Sequence, residues 1–169
     1  MKLRRLSGFP PIARQSARIL ILGSMPSVAS LAAGEYYAHP RNAFWPIVAE
    51  LLGFDARAPY AKRCAALRAA DIALWDVVGS CFRPGSLDAA IFERSIRAND
   101  FAAFLARHPR ITRVCFNGRK AANAWRRHVT PRLPAGRELE YRYLPSTSPA
   151  HAGMSYLRKL ALWRGGLAC

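Results

Sequence analysis

Ten consecutive residues, Tyr36-Tyr-Ala-His-Pro-Arg-Asn-Ala-Phe-Trp45, bring together four aromatic rings, a histidine, an arginine and an amide. An aromatic ring in a loop has no core to fill unless it faces a pocket. A base taken out of its stack needs an aromatic face and donors for its polar edge, and this segment supplies both. Tyr37 is the candidate stacking face and Asn42 the candidate polar group. Trp45 is expected in a helix core. Phe44 leans the same way, yet its place beside the other two keeps it among the candidate base contacts.

Three further clusters could join such a site. Gly23-Ser-Met-Pro-Ser27 is a turn that exposes backbone N–H groups to a phosphate, a water or a base edge. It lacks the Gly-Lys-Ser/Thr element of a phosphate-binding loop. Ser146-Thr-Ser-Pro-Ala-His-Ala-Gly153 is small, polar and kinked, suited to entering a groove and gripping phosphate through hydroxyls and N–H groups. Asp76, in Leu74-Trp-Asp-Val-Val78, could accept from a base edge or balance a nearby arginine. No G-x-S-x-G and no triad or paired-carboxylate signature is present, which argues against ester or peptide hydrolysis.

These clusters need elements to hold them. Arg18–Gly23 reads as a buried strand, and Asn42 as the cap of a helix running through Leu52. Ala61–Ala70 reads as a second helix and Asp71–Val78 as a second strand. Ser86–Arg97 and Asn99–Arg107 read as helical, Ile111–Phe116 as a third strand, and Gly118–His128 as a helix. Glu140–Leu144 reads as a fourth strand, followed by a loop to Gly153 and a last helix to Trp163. Alternating strands and helices predict an α/β fold, a three-layer α/β/α domain around a mostly parallel four-stranded sheet. Ligands bind such sheets at the carboxyl ends of the strands. The loops Ser24–Arg41, Gly79–Pro84, Asn117-Gly118 and Pro145–Gly153 lie there, and the unusual residues gather in them.

The chain of 169 residues fits a single domain, with residues 1–16 as a basic N-terminal arm. It carries 26 basic and 10 acidic residues, a formal net charge of +16. Of the basic residues 22 are arginine, which forks onto phosphate and stacks on bases. A basic excess of this size points to a polyanion, here nucleic acid. Residues 97–169 hold 14 basic and 3 acidic residues, so that part should carry much of the polyanion-facing surface. The four cysteines are scattered, without metal-ligand or iron–sulfur spacing, and read as reduced cytoplasmic thiols. No apolar run is long enough to span a membrane, and no signal peptide is indicated. No cofactor is expected.

With these residues in view, Gly23–Ser27 followed by Tyr37-Ala-His-Pro-Arg-Asn-Ala-Phe-Trp45 resembles the uracil-DNA glycosylase superfamily. It is most similar to the hypoxanthine-DNA glycosylase branch. Mismatch-specific uracil glycosylases carry a similar stretch, with Gly-x-Asn-Pro and then Ala-His-Pro-x-Asn-x-Phe-Trp. Ser146-Thr-Ser-Pro-Ala-His151 resembles the superfamily's second motif, the loop that enters DNA. Two departures stand out. Met25 occupies the place where other branches set an Asn or Asp, and Ser148 the place of a leading His or Asn. Both favour the hypoxanthine branch, which is held to rely on the residue matching Asn42.

The resemblance implies a monomeric, monofunctional glycosylase that flips a deaminated base out of double-stranded DNA and leaves an abasic site. Gly23, Ser24, Met25, Pro26, Ser27, Tyr37, Phe44 and Asp76 would contact the base. Asp76 would accept from the lactam N–H that adenine lacks. Asn42 would position water for attack at C1′ or bond the leaving base; an amide is no general base, so its contribution is orientation. His39, Arg41, Asn117, Arg119, Lys120, Ser146, Ser148, Pro149, Ala150 and His151 would face the DNA, with Ala150–Ala152 filling the gap in the duplex. No lysine lies in the three motif-like loops, so a Schiff-base step is not expected. The competing readings are uracil or mismatched thymine as substrate, a nucleic-acid binder without catalysis, and a nucleotide-handling α/β enzyme.

Overall fold

The computed structural model describes residues 4–85 and 87–168. Its central sheet has the order β3-β2-β6-β7, built from β2 (Ile19–Gly23), β3 (Ile72–Asp76), β6 (Arg113–Asn117) and β7 (Glu140–Leu144). All three pairings are parallel. Such strands are covered on both faces and therefore read as unbroken apolar runs, as Ile-Leu-Ile-Leu in β2 does. Only the edge strand β7 is mostly exposed.

Register fixes which side chains share a face. Leu22 pairs with Trp75 and Phe116, and Phe116 pairs with Tyr143. On that face the Trp75 ring lies 4.9 Å from Phe101 of α4 (Phe101–Arg107). Phe116 lies 5.9 Å from Trp125, which follows α5 (Arg119–Ala124). The opposite face carries Ile21, Leu74 and Cys115. There Cys115 Sγ donates to Gly166 O of α6 (Tyr156–Leu167) at 3.6 Å. Phe44 of α2 (Phe44–Leu52) meets Trp163 of α6 edge-to-face at 5.8 Å, and α3 (Tyr60–Ala69) packs on β3. The three expected layers are present.

A second sheet, β1-β4-β5, is antiparallel and joins Leu6–Ser7, Val78–Cys81 and Arg97–Ala98. It corrects three sequence expectations. Residues 4–16 do not stand off as an arm: Leu6 pairs with Cys81, and Ile12 bridges Leu74. The second strand stops at Asp76, because Val77 and Val78 turn their N–H groups to Gly23 O and Ser24 O. The helix expected over 86–97 is replaced by two short 3₁₀ turns, Asp88–Ala90 and Glu93–Ser95, and by β5; Ser86 itself lies outside the described residues. Ser95 Oγ accepts from Phe82 N and donates to Phe92 O, which diverts the backbone from helical pairing. The helix after β6 also changes, widening at Trp125–Val129 into a π turn. Among the described residues no helix is long and apolar enough to cross a membrane.

Candidate active site

The strands end together. Gly23 pairs with Asp76, and Asn117 with Leu144, so these four residues mark the carboxyl edge of the sheet. A cavity of about 350 Å³ opens there. It is lined from the first turn by Gly23, Ser24, Met25, Pro26 and Ser27, and from the aromatic segment by Tyr37 and Asn42. Asp76, Asn117, Ser146, Ser148, Ala150 and His151 complete most of the wall. The volume falls in the lower part of the range for small-ligand sites, roughly 300–1,000 Å³.

Gly23 is the hinge of the floor. A Cβ at this position would lie 2.7 Å from the Tyr37 hydroxyl and closer still to Asp76 Oδ1. Only glycine leaves room for both oxygens above the strand end. Tyr37 holds φ at 56°, a left-handed conformation that costs a bulky residue about 1–3 kcal/mol. Its ring stacks on Phe44 at 4.2 Å with an interplanar angle of 26°. Phe44, expected among the base contacts, is fully buried, does not line the cavity and backs the Tyr37 ring. Phe44 thus covers one face of the Tyr37 ring. Asp76 is buried at 3% exposure.

Asn42 does not take the expected cap position of α2: the N-cap is Ala43, which makes no side-chain cap bond, and Asn42, one residue earlier, accepts from Phe44 N through Oδ1 at 2.9 Å. That bond fixes the amide's orientation, since Nδ2 could not face an N–H. No described residue accepts from Nδ2. His39 shapes the turn before it. Its Nδ1 accepts from Arg41 N, and its carbonyl from Asn42 N. His39 does not line the cavity, and Arg41 is exposed beside it.

The second loop is fastened rather than free. Asn117 Nδ2 donates to Thr147 Oγ1, and Thr147 N donates to Asn117 Oδ1, both at 2.9 Å. Ala43 N donates to Thr147 O, which ties α2 to the same residue. Asn117, expected as a DNA contact, therefore spends its amide on the loop. Ser148 Oγ accepts from Ala150 N, and Ser146 Oγ from Ser148 N. Lys159 Nζ donates to His151 O at 2.8 Å from a buried position, where desolvation lowers its pKa. Pro149 lies outside the cavity wall.

The remaining expected contacts divide. Arg119 is exposed at the start of α5 with no ion pair among the described residues. Lys120 is ion-paired with Glu93, which also holds Arg127. Sequence reasoning missed Ser30, Tyr36, Thr147, Leu87 and Ala89, all of which line the cavity. Tyr36 and Thr147 stood inside the quoted segments; Leu87 and Ala89 had no signal. Tyr36 donates to Pro10 O at 2.9 Å, and burial, with the charge of Asp76 adding, keeps its hydroxyl protonated far above the usual range. It cannot serve as a base. Among the described residues no group of His, Cys, Asp and Glu is placed to hold a metal ion.

The family described as the uracil DNA glycosylase superfamily matches residues 10–164. The chain belongs to this superfamily. A protein of Methanosarcina acetivorans named hypoxanthine DNA glycosylase is 37% identical over 153 residues, covering 90% of this chain and 92% of the relative. A Methanosarcina barkeri protein of the same name is 37% identical over 115 residues, covering 68% and 72%. A solution NMR structure of a Methanosarcina acetivorans protein, whose description proposes a uracil DNA glycosylase, superposes with a TM-score of 0.78. It is 33% identical and covers 97% of each chain. In this superfamily member the cavity at the strand ends takes residues from both motif-like segments: 23–27, Tyr37 and Asn42 from the first, and 146–148, Ala150 and His151 from the second.

Proposed function

We propose that this superfamily member is a monofunctional DNA glycosylase that excises hypoxanthine from double-stranded DNA and leaves an abasic site. One observation carries the reading: Asn42 lines the cavity with its Oδ1 occupied by Phe44 N–H, while Met25, buried on the floor, offers only a thioether. The amide's donor is thus left for the ligand, and nothing at the Met25 position can activate water.

The flipped base enters beneath Tyr37 and stacks on the ring face turned away from Phe44. Asp76 accepts from the N1–H of hypoxanthine; adenine has no proton there and is refused. As the glycosidic bond stretches, the sugar gains oxocarbenium character and the base leaves as an anion. Asn42 Nδ2 donates to that base as its charge develops, the kind of fixed donor that lowers a barrier most. Oδ1 keeps a second lone pair with which it can steer a water toward C1′. Ser146, Ser148 and His151 bond the flanking phosphates, and exposed arginines such as Arg41 and Arg119 bind the duplex. No lysine lies in the first turn, the aromatic segment or the second loop, so no Schiff base forms and the strand is not cut.

Asp76 also supports a second reading, because uracil carries a lactam N–H of its own. Duplexes containing hypoxanthine, uracil or mismatched thymine separate the two. Strand breaks are expected only after alkali, and fastest with hypoxanthine. Equal or faster release of uracil would move the substrate assignment. The absence of breaks with every duplex would leave a DNA-binding protein without catalysis.

A further inference from the structure

Extruding a nucleotide leaves a gap in the base stack, and proteins hold such gaps open with an apolar wedge. The second loop is poorly equipped for this. From Ser146 to Gly153 it offers only serine, threonine, proline, alanine, histidine and glycine. A bulky apolar side chain does stand at the cavity, but on another segment. Leu87 lines it while remaining 61% exposed. None of the other exposed large apolar side chains among the described residues lines this cavity.

The segment bearing Leu87 is anchored. Arg83, four residues earlier, is buried at 4% exposure. Its Nε donates to Gly85 O and its Nη2 to Pro26 O, a carbonyl of the cavity floor. Ala90 N then donates to Leu87 O, and Phe92 N to Phe82 O, closing the turn behind it. An exposed leucine on a fastened turn gains little in water, but it is buried once it enters a base stack. We propose that Leu87 is the wedge that occupies the duplex when the base is flipped, in place of the Ala150–Ala152 region. This rests on the glycosylase reading above and names the residue that holds its substrate open.

The test compares Leu87→Ala and Leu87→Met with the parent protein. Because the side chain is mostly exposed, both variants should fold. Binding is measured to a duplex with a tetrahydrofuran abasic-site analogue and to the same duplex intact. A wedge fills the abasic gap, so Leu87→Ala should lose about tenfold of the preference for the gapped duplex, and Leu87→Met should restore it. Base release from a hypoxanthine duplex should fall for Leu87→Ala far more than release from the corresponding single strand, which has no stack to hold open. An unchanged abasic preference in Leu87→Ala, or a parent protein with no such preference, overturns the proposal. Equal losses on duplex and single strand overturn it too, and make Leu87 a wall of the cavity. A parent protein that prefers the gapped duplex through Leu87 but releases no hypoxanthine keeps the wedge and overturns the glycosylase reading instead.

Discussion

Gly23 and Asp76 are paired in register at the ends of adjacent strands, and a methyl group on Gly23 would overlap Asp76 Oδ1. The carboxylate and the Tyr37 hydroxyl thus reach the cavity floor only because position 23 has no side chain. Gly23→Ala should destabilise the fold by about 1–3 kcal/mol, as overpacking does, and should displace Asp76 or Tyr37. Urea unfolding measures the first effect. Hypoxanthine release should fall by more than the folded fraction does. A folded Gly23→Ala protein with parental activity would show that neither oxygen matters where it sits.

Asn42 gives a sharper test, because its two polar atoms have different partners. Asn42→Ala removes both the acceptor for Phe44 N and the donor to the base. Base release should fall by about 100-fold or more, the usual effect of deleting one such donor. DNA affinity should stay close to parental, and stability should drop by about 0.5–1.5 kcal/mol with the lost hydrogen bond. Asn42→Asp keeps an acceptor for Phe44 N but has no donor. If donation to the leaving base dominates, this variant should be nearly as slow as Asn42→Ala in single-turnover assays. Near-parental rates for Asn42→Asp would assign Asn42 to water positioning through Oδ1.

The contrast between Asn42 and Leu87 shows what was legible in the sequence. Asn42, Tyr37 and the first turn lie beside strands and a helix whose apolar periodicity is strong, so their place at the sheet's carboxyl edge followed from pattern. The same pattern placed Asp76 and the second loop. The segment 83–96 has no apolar period; it is held by side chains instead, Ser95 Oγ accepting from Phe82 N and Arg83 Nη2 donating to Pro26 O. The second sheet escaped notice for a related reason: β1 and β5 are two residues each, too short to alternate. Residue type alone marks Phe44 and Asn117 as ligand contacts; it does not reveal that one packs on Tyr37 and the other bonds Thr147. Tertiary partners of that kind carry no local signature.

Asn117→Ala should show how far the second loop depends on this brace. The substitution leaves Thr147 N, buried beside β6, without its acceptor. An orphaned buried N–H costs about 1–3 kcal/mol. Hydrogen exchange should quicken at Thr147 and Ser148, and affinity for duplex DNA should fall because the loop is no longer held. Asn117→Asp, which still accepts from Thr147 N, should recover part of both losses. Exchange rates unchanged in Asn117→Ala would mean that Ala43 N and Lys159 hold the loop without Asn117.

Glu93 links stability to the basic surface. Its carboxylate is held below its usual value of 4.5, chiefly by the hydrogen bond from Lys120. A lowered folded pKa means that the stabilisation is present above the unfolded value and is lost as pH falls through the folded one. Glu93 is 42% exposed, so the pair with Lys120 is worth about 1 kcal/mol or less. Glu93→Gln should therefore lower the urea midpoint slightly at pH 7, and the difference from the parent should shrink as pH falls below 4.5 and vanish once Glu93 is protonated in the folded protein. The same change frees Lys120 and Arg127. If they face the duplex, Glu93→Gln should tighten DNA binding at low salt. It should also steepen the plot of log affinity against log salt by about 0.9 for each phosphate newly contacted. Fluorescence anisotropy across a salt series measures that slope. An unchanged slope would place Lys120 and Arg127 away from the DNA and leave Arg119, unpaired among the described residues, as the cation of α5 that binds it.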